Sequence, residues 1–199
     1  MTLDLSRQNL SKIPGYIQEL KIHTLILSNN NISKINNLPN GLINLDLSGN
    51  NIKQIENLPS SIKKLDLSGN LIKKIQRLPL GIQEINLSEN KIHHIQNLRK
   101  SIKWLDLYGN LIKVVCNIPA QIEYLDISSN QINQIKDINK KIITFKLSDN
   151  KLKELPVNLI RLNNIKEINF YGNPIKKISE EFNIWLKQIT LVNIGLLFF

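Results

Sequence analysis

Trp104 and Tyr124 stand twenty residues apart, and so do Asp106 and Asp126, with Tyr108 two residues beyond Asp106. Aromatic side chains bury much area with few rotatable bonds and are enriched at binding hot spots. Carboxylates beside them can pair basic groups. These five residues are therefore the candidates for partner binding: the aromatics as apolar anchors, the two aspartates as counter-charges. The same spacing sets Asp46 and Asp66 in line with Asp106 and Asp126, with Asn86 between them. Neighbouring carboxylates about 5 Å apart repel by roughly 1 kcal/mol in water. Such a row is notable on a chain with 26 Lys and Arg, 16 Asp and Glu, and a net charge of +10. It reads as an acidic groove for a basic segment of a partner.

Catalytic chemistry finds no comparable set. His23, His93 and His94 have no carboxylate or nucleophile at a telling spacing, and the one cysteine, Cys116, stands alone. A metal site needs more ligands than these, and no phosphate loop or glycine fingerprint occurs. The expectation is a non-enzyme without metal or cofactor. The lysines suggest a second reading. Lys53, Lys73, Lys74, Lys113, Lys153, Lys176 and Lys177 all follow the asparagine turns. They would stack along one flank, either as a solvated surface or as a stripe attracting nucleic acid or an anionic membrane.

The elements that position these residues follow from the period itself. Asparagine falls at 30, 50, 70, 90, 110, 130 and 150, and again at 173. A fixed period this short is the mark of a solenoid. Within one unit, Leu45 and Leu47 alternate with Asn44, Asp46 and Ser48, the pattern of a short strand with one buried face. Apolar residues then continue at three- and four-residue spacings through Ile52, Ile55, Leu58 and Ile62, too short a run for a full helix. Pro39, Pro59, Pro79 and Pro119 mark this return segment as extended or 3₁₀-like. One strand cannot bury its apolar face alone, so the units must stack in parallel, about 4.8 Å apart. The asparagine amide, with two donors and an acceptor, can bond loop groups that the ladder leaves unpaired. Asn30, Asn50, Asn70, Asn90, Asn110, Asn130, Asn150 and Asn173 are expected to form that structural ladder.

The unit "LINLDLSGNNI" and its successors match LxxLxLxxNxL, and in this the chain resembles the leucine-rich repeat family. The resemblance covers about nine units over residues 3–178, including a divergent first one with Gln8 in the asparagine position. The NxIxxIxxL continuation is similar to the phosphatase-regulator-like subclass. The twenty-residue length and Leu-Pro step are similar to the short repeats of bacterial effectors. The resemblance implies an α/β solenoid: a horseshoe with a parallel sheet on its concave face, an extended or 3₁₀ convex side and a short C-terminal capping helix. It implies a non-catalytic interaction module that binds a protein partner on the concave face. The strand wording "LDLS" is common in the family, so the aspartate row has a structural explanation beside the functional one. Effector-like repeats sometimes accompany a ubiquitin-ligase domain, which is not expected within these 199 residues.

The ends need caps, because solenoid termini expose core. Residues 179–189 read as a capping helix. Ser179 would be its N-cap, Glu180 and Glu181 sit near the positive end of its dipole, and Phe182, Trp185, Leu186 and Ile189 form its apolar stripe. The expected division is an array over 1–178 and a cap over 179–199, whose closing run at 195–199 is cap or docking segment. At the other end, residues 3–5 would leave an edge strand open to self-association. A lone cysteine and no leader-like start suggest a reducing, intracellular compartment: the cytoplasm, its own or a host cell's.

Overall fold

Among the described residues, 1–192, of a computed structural model lie eleven short strands, two 3₁₀ helices and one α-helix. In chain order the strands are β1 (Thr2–Asp4), β2 (Thr24–Ile26), β3 (Asn44–Asp46), β4 (Lys64–Asp66), β5 (Glu84–Asn86) and β6 (Trp104–Asp106). Then follow β7 (Val114–Val115), β8 (Tyr124–Asp126), β9 (Gln134–Ile135), β10 (Thr144–Lys146) and β11 (Glu167–Asn169), and last the helix α1 (Glu180–Val192). Nine of the strands form one parallel sheet in the order β1-β2-β3-β4-β5-β6-β8-β10-β11. Almost every neighbour in space is thus the next repeat in sequence. The register is the one the period demands: Leu45 opposite Leu65, Leu65 opposite Ile85, Ile85 opposite Leu105.

The strands form because alternate residues have different fates. Leu105 and Leu107 are fully buried, whereas Trp104 and Asp106 on the other side of the strand are half-buried. Each strand hands backbone bonds to the next beyond its ends as well: the Leu107 amide donates to the Asp126 carbonyl at 2.8 Å. Inside, leucine and isoleucine columns run the length of the solenoid. Ile52, Ile72, Ile92, Ile112 and Ile132 form one such column, all without exposure. Burying each contributes about 1.5–3 kcal/mol. The one large ring in the interior of the strands, Phe145, is also fully covered.

The return side is mostly irregular and extended. The Leu-Pro step opens a turn into the next strand: the carbonyls of Pro39, Pro59, Pro79 and Pro119 accept from the amides of Leu42, Ile62, Ile82 and Ile122. Arg99 occupies the same place without a proline and makes the same turn. Two return segments are 3₁₀ helices, Gly15–Glu19 and Val157–Arg161. The second lies in the unit that is three residues longer. In the middle of the array, β7 pairs with β9 to make a small second sheet. Val114, Val115 and Ile135 are β-branched residues that suit such pairing.

At the carboxyl end, α1 starts after Ser179, whose Oγ accepts from the Phe182 amide at 3.2 Å. Phe182, Trp185 and Leu186 are buried. Phe182 meets Phe170 edge-on at 6.5 Å, so the helix covers the last rung of the core. It runs three residues past the expected end. Residues 195–199 lie outside the described part. At the other end β1 pairs with β2 on one side only, as an edge strand.

Candidate functional site

The asparagine column sets the spacing of the sheet from behind. The Asn110 Oδ1 accepts from the Ile92 amide of the preceding repeat at 2.9 Å. Its Nδ2 donates to the Leu87 carbonyl of that repeat (2.9 Å) and to its own repeat's Leu107 carbonyl (3.1 Å). Asn50, Asn70, Asn90, Asn130 and Asn150 make the same bonds, and all are buried. Asn173 repeats them with Leu152 and Leu147. Asn30 differs in accepting from both Gln8 and Leu10. The Gln8 side chain is exposed, and its amide donates within its own turn to the Ser6 carbonyl.

On the open face the ladder sets Trp104 directly opposite Tyr124, and Asp106 opposite Asp126. The two rings stack, with centroids 4.9 Å apart and planes 11° from parallel. The next rung supplies a cation: the Lys146 Nζ lies 5.6 Å from the Tyr124 ring centroid. Indole, phenol and ammonium thus run across three strands. Tyr108 shares the rung but not the stack. It is 40% exposed, and no ring contact joins it to Trp104 or Tyr124.

The charges of this face divide into paired and unpaired. Lys64 meets Glu84 at 2.8 Å, and Lys146 meets Glu167 at 3.7 Å. Asn86, which interrupts the aspartate row, donates to Asp66 at 3.0 Å and so relieves part of its repulsion. Asp106 and Asp126 accept the amides of Tyr108 and Ser128 but form no ion pair among the described residues. Burial beside the aromatic stack pushes the Asp106 carboxyl up to about 6, helped by the negative charges of Asp126 and Asp66 and opposed by the Tyr108 amide. Burial likewise pushes the Tyr124 hydroxyl up to about 12, with Asp126, Asp106 and Glu167 adding to it. At the open end of the same row the Asp4 carboxyl is lowered by the Ser6 amide. One strand motif thus gives opposite shifts, according to whether bulky neighbours exclude water. Alongside, Asp46, Asp66, Glu84 and Trp104 border an open depression of about 370 Å³.

His93 and His94 are exposed neighbours, with ring centroids 6.5 Å apart. Among the described residues no three His, Cys, Asp or Glu side chains are grouped to hold a metal. No helix among them is long and apolar enough to cross a membrane.

The family model described as Leucine Rich Repeat matches residues 41–65. Solved structures agree over far more of the chain. YopM from Yersinia enterocolitica aligns with a TM-score of 0.61 and 22% identity over 79% of this chain. An internalin from Listeria monocytogenes gives 0.75 and 20% over 95%. A Shigella effector domain gives 0.67 and 21% over 96%. The chain has the fold of a leucine-rich repeat solenoid. It spans 43% of the YopM chain, 58% of the internalin and 76% of the Shigella domain. No curated protein matches it by sequence. The leucine-rich repeat fold is in general a protein-interaction scaffold.

Two features of this leucine-rich repeat went unread in the sequence. One is a second asparagine column on the return side. Asn37, Asn57 and Asn97 take left-handed backbone at φ of +52° to +56°. Their amides donate to the carbonyls of Ile13, Ile35 and Ile75 in the preceding repeats. Asparagine tolerates that conformation and can bond locally from it. The recurring "NLP" at 37–39 and 57–59 was the available signal. The other is Lys146: its place twenty residues after Asp126 sets it on the open face, but nothing in the sequence signals that its ammonium lies over the Tyr124 ring.

Proposed function

We propose that the chain is a non-catalytic docking module whose concave sheet binds an extended, basic segment of a partner protein. The observation that carries this is the stacked Trp104–Tyr124 pair on an open face, edged by two carboxylates without a lysine partner. A stacked pair presents a broad apolar surface that costs little rotamer entropy to bury. Trp104 and Tyr124 act as the anchor, and Tyr108, standing apart, closes over the rim of the interface. Asp106 and Asp126 receive basic side chains. A nine-stranded sheet runs about 40 Å, enough for the roughly 800 Å² per partner of a standard interface. Lys146 over Tyr124 supports a preference for cations, since it shows a positive group seated on this aromatic surface.

The two arrays of like charge on this molecule oppose each other as partners. The concave face attracts basic groups, and the lysine flank attracts anions. Recovery of partners from cell lysate on wild type and on Trp104→Ala separates them. Concave docking predicts a loss of about 2 kcal/mol or more in affinity, a hot-spot value, with a weak salt dependence. Retention of the same partner by Trp104→Ala, with affinity falling steeply in salt, contradicts it. The half-buried single cysteine supports a reducing compartment as the site of action. Fractionation of the native cells tests that assignment, and recovery from an oxidising compartment contradicts it.

A further inference from the structure

A cluster of lysines on the flank has no part in concave docking. Lys53, Lys73, Lys74 and Lys91, with Gln54 and Gln76, surround one open hollow of about 500 Å³. No carboxylate lines it, and none of the four lysines forms an ion pair among the described residues. Lys53 and Lys73 occupy equivalent places one rung apart, so their like charges repel. The two glutamines carry amide donors in the same hollow.

We infer that this hollow binds a compact ligand bearing two or more phosphate groups. Ammonium groups on flexible stems serve as point charges for phosphate, and glutamine amides complete the oxygen shell. The field is concentrated rather than drawn out along the molecule. The column of Lys53 and Lys73 continues through His93, Lys113 and Asn133, and Glu154 enters beside Lys153. A nucleic-acid backbone needs a longer unbroken track. No aromatic side chain lines the hollow, so bases would have no stacking platform.

The test is titration calorimetry with inorganic tripolyphosphate at physiological salt. Lys73→Gln with Lys74→Gln is compared with Lys153→Gln with Lys176→Gln, which removes the same charge from another part of the flank. All four positions are exposed, and melting curves check that both variants fold. Saturable binding to wild type is expected, weakened roughly tenfold or more by the first pair and less than about twofold by the second. Equal losses in both variants mean attraction by net charge and overturn the site, as does the absence of saturable binding to wild type. Tighter binding to duplex DNA, lost equally in the two variants, overturns it as well. Vesicles carrying a bisphosphorylated inositol lipid distinguish the source. Capture that tripolyphosphate competes away sustains the site with a lipid headgroup as ligand. No capture, with tripolyphosphate still bound, sustains it with a free polyphosphate.

Discussion

Asn110 divides its amide between two repeats, so its removal reaches further than one side chain. Truncation to alanine leaves the buried Ile92 amide without its acceptor and takes from the Leu87 and Leu107 carbonyls one of their two asparagine donors, Asn90 and Asn130 supplying the others. Asn110→Ala is expected to lower stability by about 1–3 kcal/mol, read by denaturant unfolding. A wild-type curve would contradict the clip. Asp106 makes the complementary case on the open face. Its carboxyl holds its proton up to about pH 6 in the fold, against 3.8 as the ordinary value. The native state therefore binds more protons than the unfolded chain between those values, and stability falls as pH rises through that window. Asp106→Asn removes the loss. The variant should match wild type near pH 3.5 and exceed it at pH 7 by about 1 kcal/mol, a figure held low because solvent screens this half-buried group. A variant less stable than wild type at pH 7 would show that the carboxylate has a stabilising partner instead. The asparagine ladder was legible in the sequence because it is periodic. The Asp106 shift was not, because it depends on how the stack beside it excludes water.

At the level of elements, the strands and their register followed from alternation and period, and the structure carries them unchanged from Leu45 to Leu125. The return segments were harder to read. Their apolar spacing fits extended chain, 3₁₀ turn or short strand equally well, and the choice rests on local residues such as Val114 and Val115. The cap was legible from Ser179, the two glutamates and the apolar stripe, but its end at Val192 carries no stop signal in sequence. Phe182 joins cap to array, edge-on to Phe170 and 4.9 Å from Trp185. Phe182→Ala is expected to cost about 3–5 kcal/mol. In a solenoid, stability is close to a sum of neighbouring units, so the damage should concentrate there. Hydrogen exchange should quicken around β10 and β11 and stay near wild type around β3 and β4. Uniform quickening over all strands would contradict this view of the cap.

The whole molecule is polarised in charge: an acidic concave face, a basic flank, and an aromatic stack part-way along the sheet. The aromatic neighbours were legible because a parallel ladder turns a twenty-residue interval into direct contact. That Tyr108 stands apart was not, since the backbone ladder continues through its carbonyl to the Glu89 amide and the period does not fix where its exposed ring lies. Hydroxyl-radical footprinting with a captured partner tests concave docking most directly. Trp104 and Tyr124 are half-buried and should oxidise in the free protein. Tyr16, 60% exposed on the return side of the first repeat, supplies an off-site reference. The account predicts that the partner protects Trp104, Tyr124 and Tyr108 and leaves Tyr16 unchanged. Protection of Tyr16 with undiminished oxidation of Trp104 and Tyr124 would contradict it.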